Sequence, residues 1–376
     1  AREKLAYIVD STSAPVAGLA ILSTWIAFEV STFSAQLPEV PDLGLRPEDG
    51  YGLFVATLPT RFYCLFTLAL VPLTIMLRRE YGPMLAACRR ALLTGELVRK
   101  EGRPMVAEAF TRMAARPGTQ PRAVNVAIPV ALLLGGTILG IALLGMESVQ
   151  ALFLASILSF GAASLLALVQ RLLSPLEILA AACSTVRSLL FAFTILLLAW
   201  AIGTVCQDLG TAPTMVAALG GLLRPELLPL ALFATSCLIS FSTGSSWSTM
   251  AILLPNVVVL AGTLGKGTAL GSEGLLILSI GAVLEGSIFG DHCSPISDTT
   301  ILSSVAAASD HMDHTRTQIP YALLSMGAAV AAGYLPVALL GRSWWQLCLV
   351  AGILGMALFL LLAGKDPARG CLNRAS

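Results

Sequence analysis

The sequence predicts an all-α, polytopic membrane protein with about nine or ten membrane segments, some of them broken or re-entrant. Hydrophobic residues make up 56% of the chain and charged residues only 12%, whereas soluble domains carry about 25% charge. The mean hydropathy is +0.83. Apolar runs long enough to cross a bilayer are interrupted by short polar stretches that hold carboxylates, glycine and proline. Such interruptions at membrane depth are typical of broken helices.

Composition also narrows the functional classes. The net charge of +1 gives no reason to expect a nucleic-acid partner. The cysteines are scattered without a CxxC pair, which argues against a disulfide or zinc framework. The sequence contains no GxSxG or HExxH motif, so a membrane enzyme is disfavoured. We expect no enzyme and no cofactor.

The chain begins with an apolar run over residues 5–12, which ends in polar residues that include Asp10 and Thr12. A proline follows, and residues 13–33 form the next apolar segment. Residues 34–50 are polar and contain three prolines. They predict an external loop.

Residues 52–77 are long enough to span a bilayer of about 30 Å. Arg61 lies inside this span. Its side chain either extends to the interface or pairs with a buried acid, for which Glu29 and Glu285 are candidates.

Residues 78–122 hold an excess of arginine and lysine over glutamate. The positive-inside rule therefore predicts a cytoplasmic loop, helical over its middle part, 84–115. The tail, 365–376, is basic and is expected on the same side.

Further predicted spans follow the basic loop. They are 124–146, 150–170, 189–223 (after an interfacial lead-in at 176–188), 226–241, 247–263, the broken helix 273–308, 317–340 and 346–363. One break is predicted at 206–210, beside Asp208 and Thr211. Another is predicted at 242–246, where Thr243, Ser245 and Ser246 surround a glycine.

The most polar interruption of all is residues 285–304, EGSIFGDHCSPISDTTILSS. It contains two carboxylates, one histidine and five hydroxyl side chains. Gly290 and Pro295 flank Asp291 and predict a helix break there. Carboxylates in such a break indicate a cation or proton site, and a polar interfacial loop is the alternative interpretation.

An internal repeat links this stretch to the N-terminal segment. PVAGLAILST (15–24) and PISDTTILSS (295–304) share four identical positions in ten, each preceded by an aspartate. The predicted topology gives the two segments opposite orientations, which is the mark of inverted repeats. We therefore predict the remainder of a first repeat over 1–146 and a second repeat over 150–364. By the length of the second copy, roughly 130–170 residues of the first are missing.

Several motifs resemble the NhaC-type Na+/H+ antiporters of the larger ion-transporter superfamily. The matching segments are GDHCSPISDTTILSS (290–304), RTQIPYAL (316–323), LAWAIGTVCQDLGT (198–211), TGSSWSTMAILLP (243–255) and REKLAYIVDSTSAPVAGLAILSTW (2–25). The resemblance implies an inverted-repeat secondary transporter of the cytoplasmic membrane that exchanges Na+ for H+. Members are longer at the N-terminus, so the resemblance implies an N-terminally truncated member. Some relatives couple Na+ or H+ to an organic acid, and that alternative stays open.

A carboxylate in a pocket of low dielectric can hold either a proton or a hard cation, as antiport requires. The candidate cation and proton ligands are Asp291, Asp298, Ser294, Ser297, Thr299, His292, Asp208, Thr211, Thr243, Ser245, Ser246, Asp10 and Thr12. A salt bridge or a helix cap is the alternative for each acid. His311 and His314 are expected at the cytoplasmic surface. The expected partners are Na+, H+ and the lipid bilayer, with a homodimer left open.

Overall fold

The chain is helical in a computed structural model that describes residues 1–20, 24–104, 122–146, 148–209 and 224–369. The first helices are α1 (Arg2–Ser11), α2 (Ala14–Leu19), α3 (Thr24–Ser34), α4 (Gly50–Thr57), α5 (Phe62–Leu77) and α6 (Gly82–Thr94). The middle helices are α7 (Val124–Leu144), α8 (Ser148–Val169), α9 (Pro175–Asp208), α10 (Leu228–Thr243) and α11 (Ser246–Leu264). The last are α12 (Gly271–Cys293), α13 (Asp298–Ala306), α14 (His311–Ala328), α15 (Leu335–Leu340) and α16 (Trp345–Ala363). A π-helical turn, Ala329–Tyr334, joins α14 to α15.

Six helical segments in the described residues are long and apolar enough to cross a membrane, or seven if a bent pair counts as one span. This confirms a polytopic all-α protein. The count is below the nine or ten predicted segments for two reasons. The apolar stretches at 13–33 and 247–263 form helices shorter than a full span. Residues 210–223, the end of another predicted span, lie outside the described residues.

Two predicted segments differ in detail from the structure. The span 52–77 is not straight, because a 3₁₀ turn at Leu58–Thr60 separates α4 from α5 and bends the pair by 45°. Pro59 cannot supply an amide proton to a continuous helix, which explains the interruption. The predicted lead-in 176–188 and the span after it form one helix, because α9 runs continuously from Pro175 to Asp208.

Helix α12 is the most deeply buried helix, with every residue from Leu275 to Cys293 buried. It packs against α10 and α11. A Cβ at Gly290 would lie 2.5 Å from the Phe241 backbone nitrogen, and one at Gly286 would lie 2.4 Å from the Phe233 carbonyl oxygen. Gly290 therefore does not break the helix as predicted. Its missing side chain lets α10 approach closely, as small residues do between membrane helices, and α12 ends at Cys293.

Two broken helices pack against each other in this part of the fold. Helices α1 and α2 form one, with a break at residues 12–13, and helices α12 and α13 form the other, with a break at residues 294–297. Helix α1 packs on α13, and α2 packs on α12. The two breaks therefore lie side by side, and each leaves backbone groups that other residues must satisfy.

Contacts between residues divide the chain into two units, one of residues 1–106 and 191–376 and the other of residues 107–190. In the smaller unit, α7 and α8 form an antiparallel hairpin whose outer faces are apolar and exposed. Gly140 allows close approach, because a Cβ there would lie 2.9 Å from Ala151 Cβ. This division does not test the predicted repeat boundaries, which stay a prediction.

The basic loop is helical only in its first part among the described residues. Helix α6 ends at Thr94, and Gly95 follows with φ +72°. Residues 105–121 lie outside the description. His311 and His314, which the sequence predicts at the cytoplasmic surface, lie in the first turn of α14, which begins at His311. The Asp310 side chain caps α14 by accepting from the Asp313 backbone N–H at 2.9 Å.

Candidate functional site

The carboxylate of Asp291 is surrounded by hydroxyl groups. Ser297 Oγ donates to Oδ1 at 2.5 Å. Ser246 Oγ and Thr299 Oγ1 donate to Oδ2 at 3.3 Å and 3.4 Å. Only 1% of the Asp291 surface is exposed. We call Asp291 and these three hydroxyl side chains the hydroxyl cage.

The cage forms where the break between α12 and α13 meets the break between α10 and α11. Asp291 lies in the last turn of α12, while Ser297 and Thr299 flank the first residue of α13. Ser246 is the first residue of α11 and follows Gly244, which has φ +65°. A Cβ at Gly244 would lie 2.7–2.9 Å from atoms of Ile296. Glycine therefore allows both the left-handed turn and the close contact that brings Ser246 to Asp291.

Other predicted ligands near the breaks have local roles. Ser294 Oγ donates to the Phe241 carbonyl at 2.8 Å, and Thr243 Oγ1 donates to the Ile239 carbonyl at 2.9 Å. Ser245 caps α11 by accepting from the Ser248 N–H at 3.2 Å. Of the three, only Ser294 bonds from one break to the other, and none donates to Asp291.

Four further predicted ligands have no hydrogen bond to the Asp291 carboxylate among the described side chains. Asp298 is half-buried at the start of α13, and its Oδ1 accepts from the Thr299 N–H at 2.8 Å. Thr12 is exposed and donates to the Ile8 carbonyl at 2.6 Å. Asp208 is the last residue of α9, and its side chain falls outside the described part of the chain, as does all of Thr211. Their roles as ligands stay predictions.

His292 lies beside the cage and is fully buried. Its Nδ1 is 2.6 Å from the Tyr63 hydroxyl, and its Nε2 is 3.1 Å from Ser11 Oγ. One hydroxyl can donate and the other accept, which satisfies a neutral imidazole. His292 therefore joins α12 to α1 and α5.

Asp10 forms a second buried carboxylate centre. Gln318 Nε2 donates to its Oδ2 at 2.6 Å, and Ser303 Oγ donates to its Oδ1 at 3.3 Å. His314 Nε2 lies 3.9 Å from Oδ2. The expectation that His314 lies at the surface is wrong, because α14 carries its side chain into the protein, where it is fully buried.

Sequence reasoning did not assign Gln318, Ser303 or Tyr63 to the site. Gln318 had a usable signal, because an amide inside an apolar span needs a polar partner and lies one turn after His314. Tyr63 gave no such signal, since a tyrosine in an apolar span also fits an ordinary packing role.

Arg61 forms a third buried centre, which we call the arginine cluster. Its Nε lies 3.5 Å from Glu285 Oε1, and its Nη2 lies 3.9 Å from Glu29 Oε2. The guanidinium also donates to the Gly18 carbonyl at the end of α2, and Glu285 Oε2 accepts from the Cys64 N–H at 3.0 Å. Both candidate acids therefore pair with Arg61, and the side chain does not extend to the interface.

Chemically, the three centres differ in how their carboxylates are compensated. The arginine cluster contains a permanent positive charge. The hydroxyl cage offers Asp291 only neutral dipoles, and no lysine or arginine of the described residues pairs with it. A buried carboxylate of that kind holds a proton or a cation, because an uncompensated charge there is very costly.

Comparison with known proteins assigns this sequence to a family. The sequence model of the Na+/H+ antiporter family matches residues 18–338, a range that contains the whole hydroxyl cage and the arginine cluster. No solved structure matches the chain.

Curated relatives agree with the family match. A Haemophilus influenzae protein without an assigned function is 29% identical over 355 residues, which cover 89% of this chain and 64% of that protein. A Na+/H+ antiporter of the same organism is 34% identical over 40% of this chain and 30% of its own length. A malate-2H+/Na+-lactate antiporter of Bacillus subtilis is 33% identical over 29% of this chain and 22% of its own length. The chain thus spans less than two thirds of the length of each of these relatives.

Proposed function

The chain belongs to the Na+/H+ antiporter family, and we propose that the protein exchanges Na+ for H+ across the cytoplasmic membrane at the hydroxyl cage. The observation that carries this proposal is a buried Asp291 carboxylate that receives hydrogen bonds from three hydroxyls. Membership of this family describes a transporter and not an enzyme. The activity is proposed for the whole protein, since the chain spans less than two thirds of the length of these relatives.

Antiport requires a site that holds one cation at a time. When Asp291 carries a proton, the carboxyl group is neutral and has no electrostatic affinity for Na+. When it loses the proton, its charge must be balanced within a protein interior, and a partly dehydrated Na+ can do this. Proton and Na+ therefore compete for the same carboxylate, and competition at one site is the simplest basis of exchange.

The hydroxyls support both states. In the absence of Na+, Ser246, Ser297 and Thr299 donate to the Asp291 carboxylate. A hydroxyl also has two lone pairs, and rotation about its C–O bond presents them to a cation. Oxygen ligands suit a hard cation, as they do for Ca²⁺ and Mg²⁺. The same side chains can therefore stabilise the ionised carboxylate and coordinate the ion that replaces the proton.

The arginine cluster disfavours exchange of an organic acid, the activity named for one relative. Binding an anionic substrate at membrane depth needs a cation that is free to receive it. Arg61 is fully buried, and it faces two glutamates and the Gly18 carbonyl. The Arg61 guanidinium is thus already compensated by two carboxylates.

The same proposal includes the orientation. Residues 78–122 and the tail face the cytoplasm, as the excess of basic residues predicts. Repeats 1–146 and 150–364 have opposite orientations. The packing of α1 on α13 and of α2 on α12 supports this arrangement. A homodimer stays a prediction.

Exchange by purified protein in proteoliposomes tests the function. An outward Na+ gradient should drive proton uptake that a fluorescent pH dye records, and Na+ should be required. Parallel vesicles loaded with lactate or malate in place of Na+ serve as the comparison. Proton movement that depends on the organic acid but not on Na+ would reject the proposal.

A further inference from the structure

A second group of polar side chains, outside the hydroxyl cage, surrounds Ser304. Its Oγ lies 2.8 Å from His314 Nδ1 and 3.0 Å from His311 Nδ1. It is also 2.8 Å from the Thr300 carbonyl oxygen. One hydroxyl on α13 thus connects two histidines of α14.

The neighbours of the two rings fix where their protons lie. Gln318 Nε2 donates to the His292 carbonyl. A carbonyl oxygen can only accept, so the nitrogen of the Gln318 amide must face His292. Gln318 Oε1 then faces His314 Nε2 at 2.7 Å, and that nitrogen must carry a hydrogen. His311 Nε2 lies 2.5 Å from the Pro295 carbonyl and must also carry one.

A neutral imidazole has only one N–H, so in the neutral state both Nδ1 atoms would be bare acceptors. Both rings would then depend on the single proton of Ser304. One hydroxyl cannot donate to two ring nitrogens at once, and a buried acceptor without a donor is costly. The neutral state is therefore one proton short.

We propose that His311 and His314 share one additional proton through Ser304. The protonated ring donates its Nδ1–H to Ser304 Oγ, and the hydroxyl donates its own proton to the other ring. Both Nδ1 atoms are then satisfied. His292 needs no such proton, because Tyr63 and Ser11 satisfy its neutral ring.

The surroundings decide whether that charge can be held. The charged or titratable side chains of the helices that pack around the pair include Arg2 and Asp10 on α1, Asp291 and His292 on α12, Asp298 on α13, and Asp313 and Arg316 on α14, with Asp310 at the α14 cap. Asp10 faces the pair, with Oδ2 at 3.9 Å from His314 Nε2. Its carboxylate supplies the counter-charge that burial demands.

The role of this site rests on the proposed function, whereas its existence does not. His311 is half-buried, while His314 and Asp10 are fully buried. Protons can therefore pass from His311 through Ser304 to His314, whose ring lies beside Asp10. His311, Ser304 and His314 thus form a proton relay that leads from the half-buried His311 towards the buried Asp10.

Nitrogen-15 NMR of the full chain in detergent micelles tests the proton count, because the sequence contains only three histidines. At pH 7 we expect one doubly protonated ring shared between His311 and His314, and a neutral His292. Ser304→Ala should lower the pH of half-protonation by about one unit or more, the effect of losing a hydrogen bond to a charged group. Ser287→Ala is the control and should change nothing at these rings, because Ser287 is equally buried but donates to the Val283 carbonyl of its own helix.

Ser304→Thr keeps the hydroxyl and should retain the shared proton. This variant provides the test if Ser304→Ala does not fold. Two neutral rings at pH 7 in the unmodified chain would overturn the site, whatever the transport assay shows. Unchanged pH dependence of exchange in Ser304→Ala, with the proton lost, would overturn the relay role alone. Failure of Na+-driven exchange in the unmodified protein would reject the proposed function and leave the proton count standing.

Discussion

Helix α12 carries two buried carboxylates that differ in their compensation. Glu285 lies 3.5 Å from Arg61, whereas Asp291, six residues further along the helix, is held by hydroxyls alone. A permanent charge makes the first carboxylate a fixed part of the structure. Neutral dipoles leave the second one able to bind and release a mobile cation. Under the function that we propose, depth in the membrane is therefore not what distinguishes the transport site from a structural carboxylate.

The largest expected effect is loss of exchange in Asp291→Asn. The asparagine keeps the shape but cannot take a proton or balance Na+, and desolvation of an unbalanced ion costs several kcal/mol. We expect the exchange rate to fall on the order of 100-fold or more, with normal protein abundance. Proteoliposome exchange measures it, and Asp42→Asn, in an exposed pair with Lys266, is the control. Exchange at the parental rate would place the site elsewhere.

Arg61→Met should act on stability and not on ion selectivity. It leaves Glu285 and Glu29 without their cation and the Gly18 carbonyl without a donor. Breaking a buried ion pair costs about 3–5 kcal/mol, so the melting temperature in detergent should fall strongly.

The double variant Arg61→Met with Glu285→Gln should recover part of the lost stability, because one uncompensated charge has been removed. A stable Arg61→Met protein with altered Na+ dependence would contradict the structural role and would instead assign the arginine cluster to transport.

Ser297→Ala should weaken Na+ binding by about 10-fold, since a hydrogen bond to a charged group contributes about 1.5–3 kcal/mol. The apparent Na+ affinity in the exchange assay measures this. Ser294→Ala is a closely matched control, because Ser294 is equally buried but donates to the Phe241 carbonyl. Equal losses in both variants would show that the effect comes from the helix break and not from the cage.

Asp298→Asn should have the smallest effect, although the sequence alone gives Asp291 and Asp298 the same role. Asp298 is half-buried, and its Oδ1 accepts from the Thr299 N–H at the start of α13. Asparagine can accept the same bond. We expect less than about a threefold change in the exchange rate, corresponding to about 0.5 kcal/mol, because the hydrogen bond is kept. A loss comparable to that of Asp291→Asn would bring Asp298 into the site.

Much of the architecture could be predicted from local signals. The apolar runs identified membrane helices, and the Thr243–Ser246 stretch correctly indicated a break, because Gly244 takes a left-handed conformation there. The break after α12 was placed too early. Glycine in a sequence signals either a bend or a close helix contact, and only the position of α10 beside Gly290 distinguishes the two.

The sequence by itself determined the fold class and the choice of Asp291, because a carboxylate amid hydroxyls at membrane depth is costly unless a proton or a cation balances it. It could not decide which acid is compensated, since Arg61 and Glu285 are more than two hundred residues apart and meet only after α5 and α12 pack. It also could not place His314 inside, because burial depends on which face of α14 turns towards Asp10. Local patterns fix which groups lie at membrane depth, while tertiary packing decides the charge that each one meets.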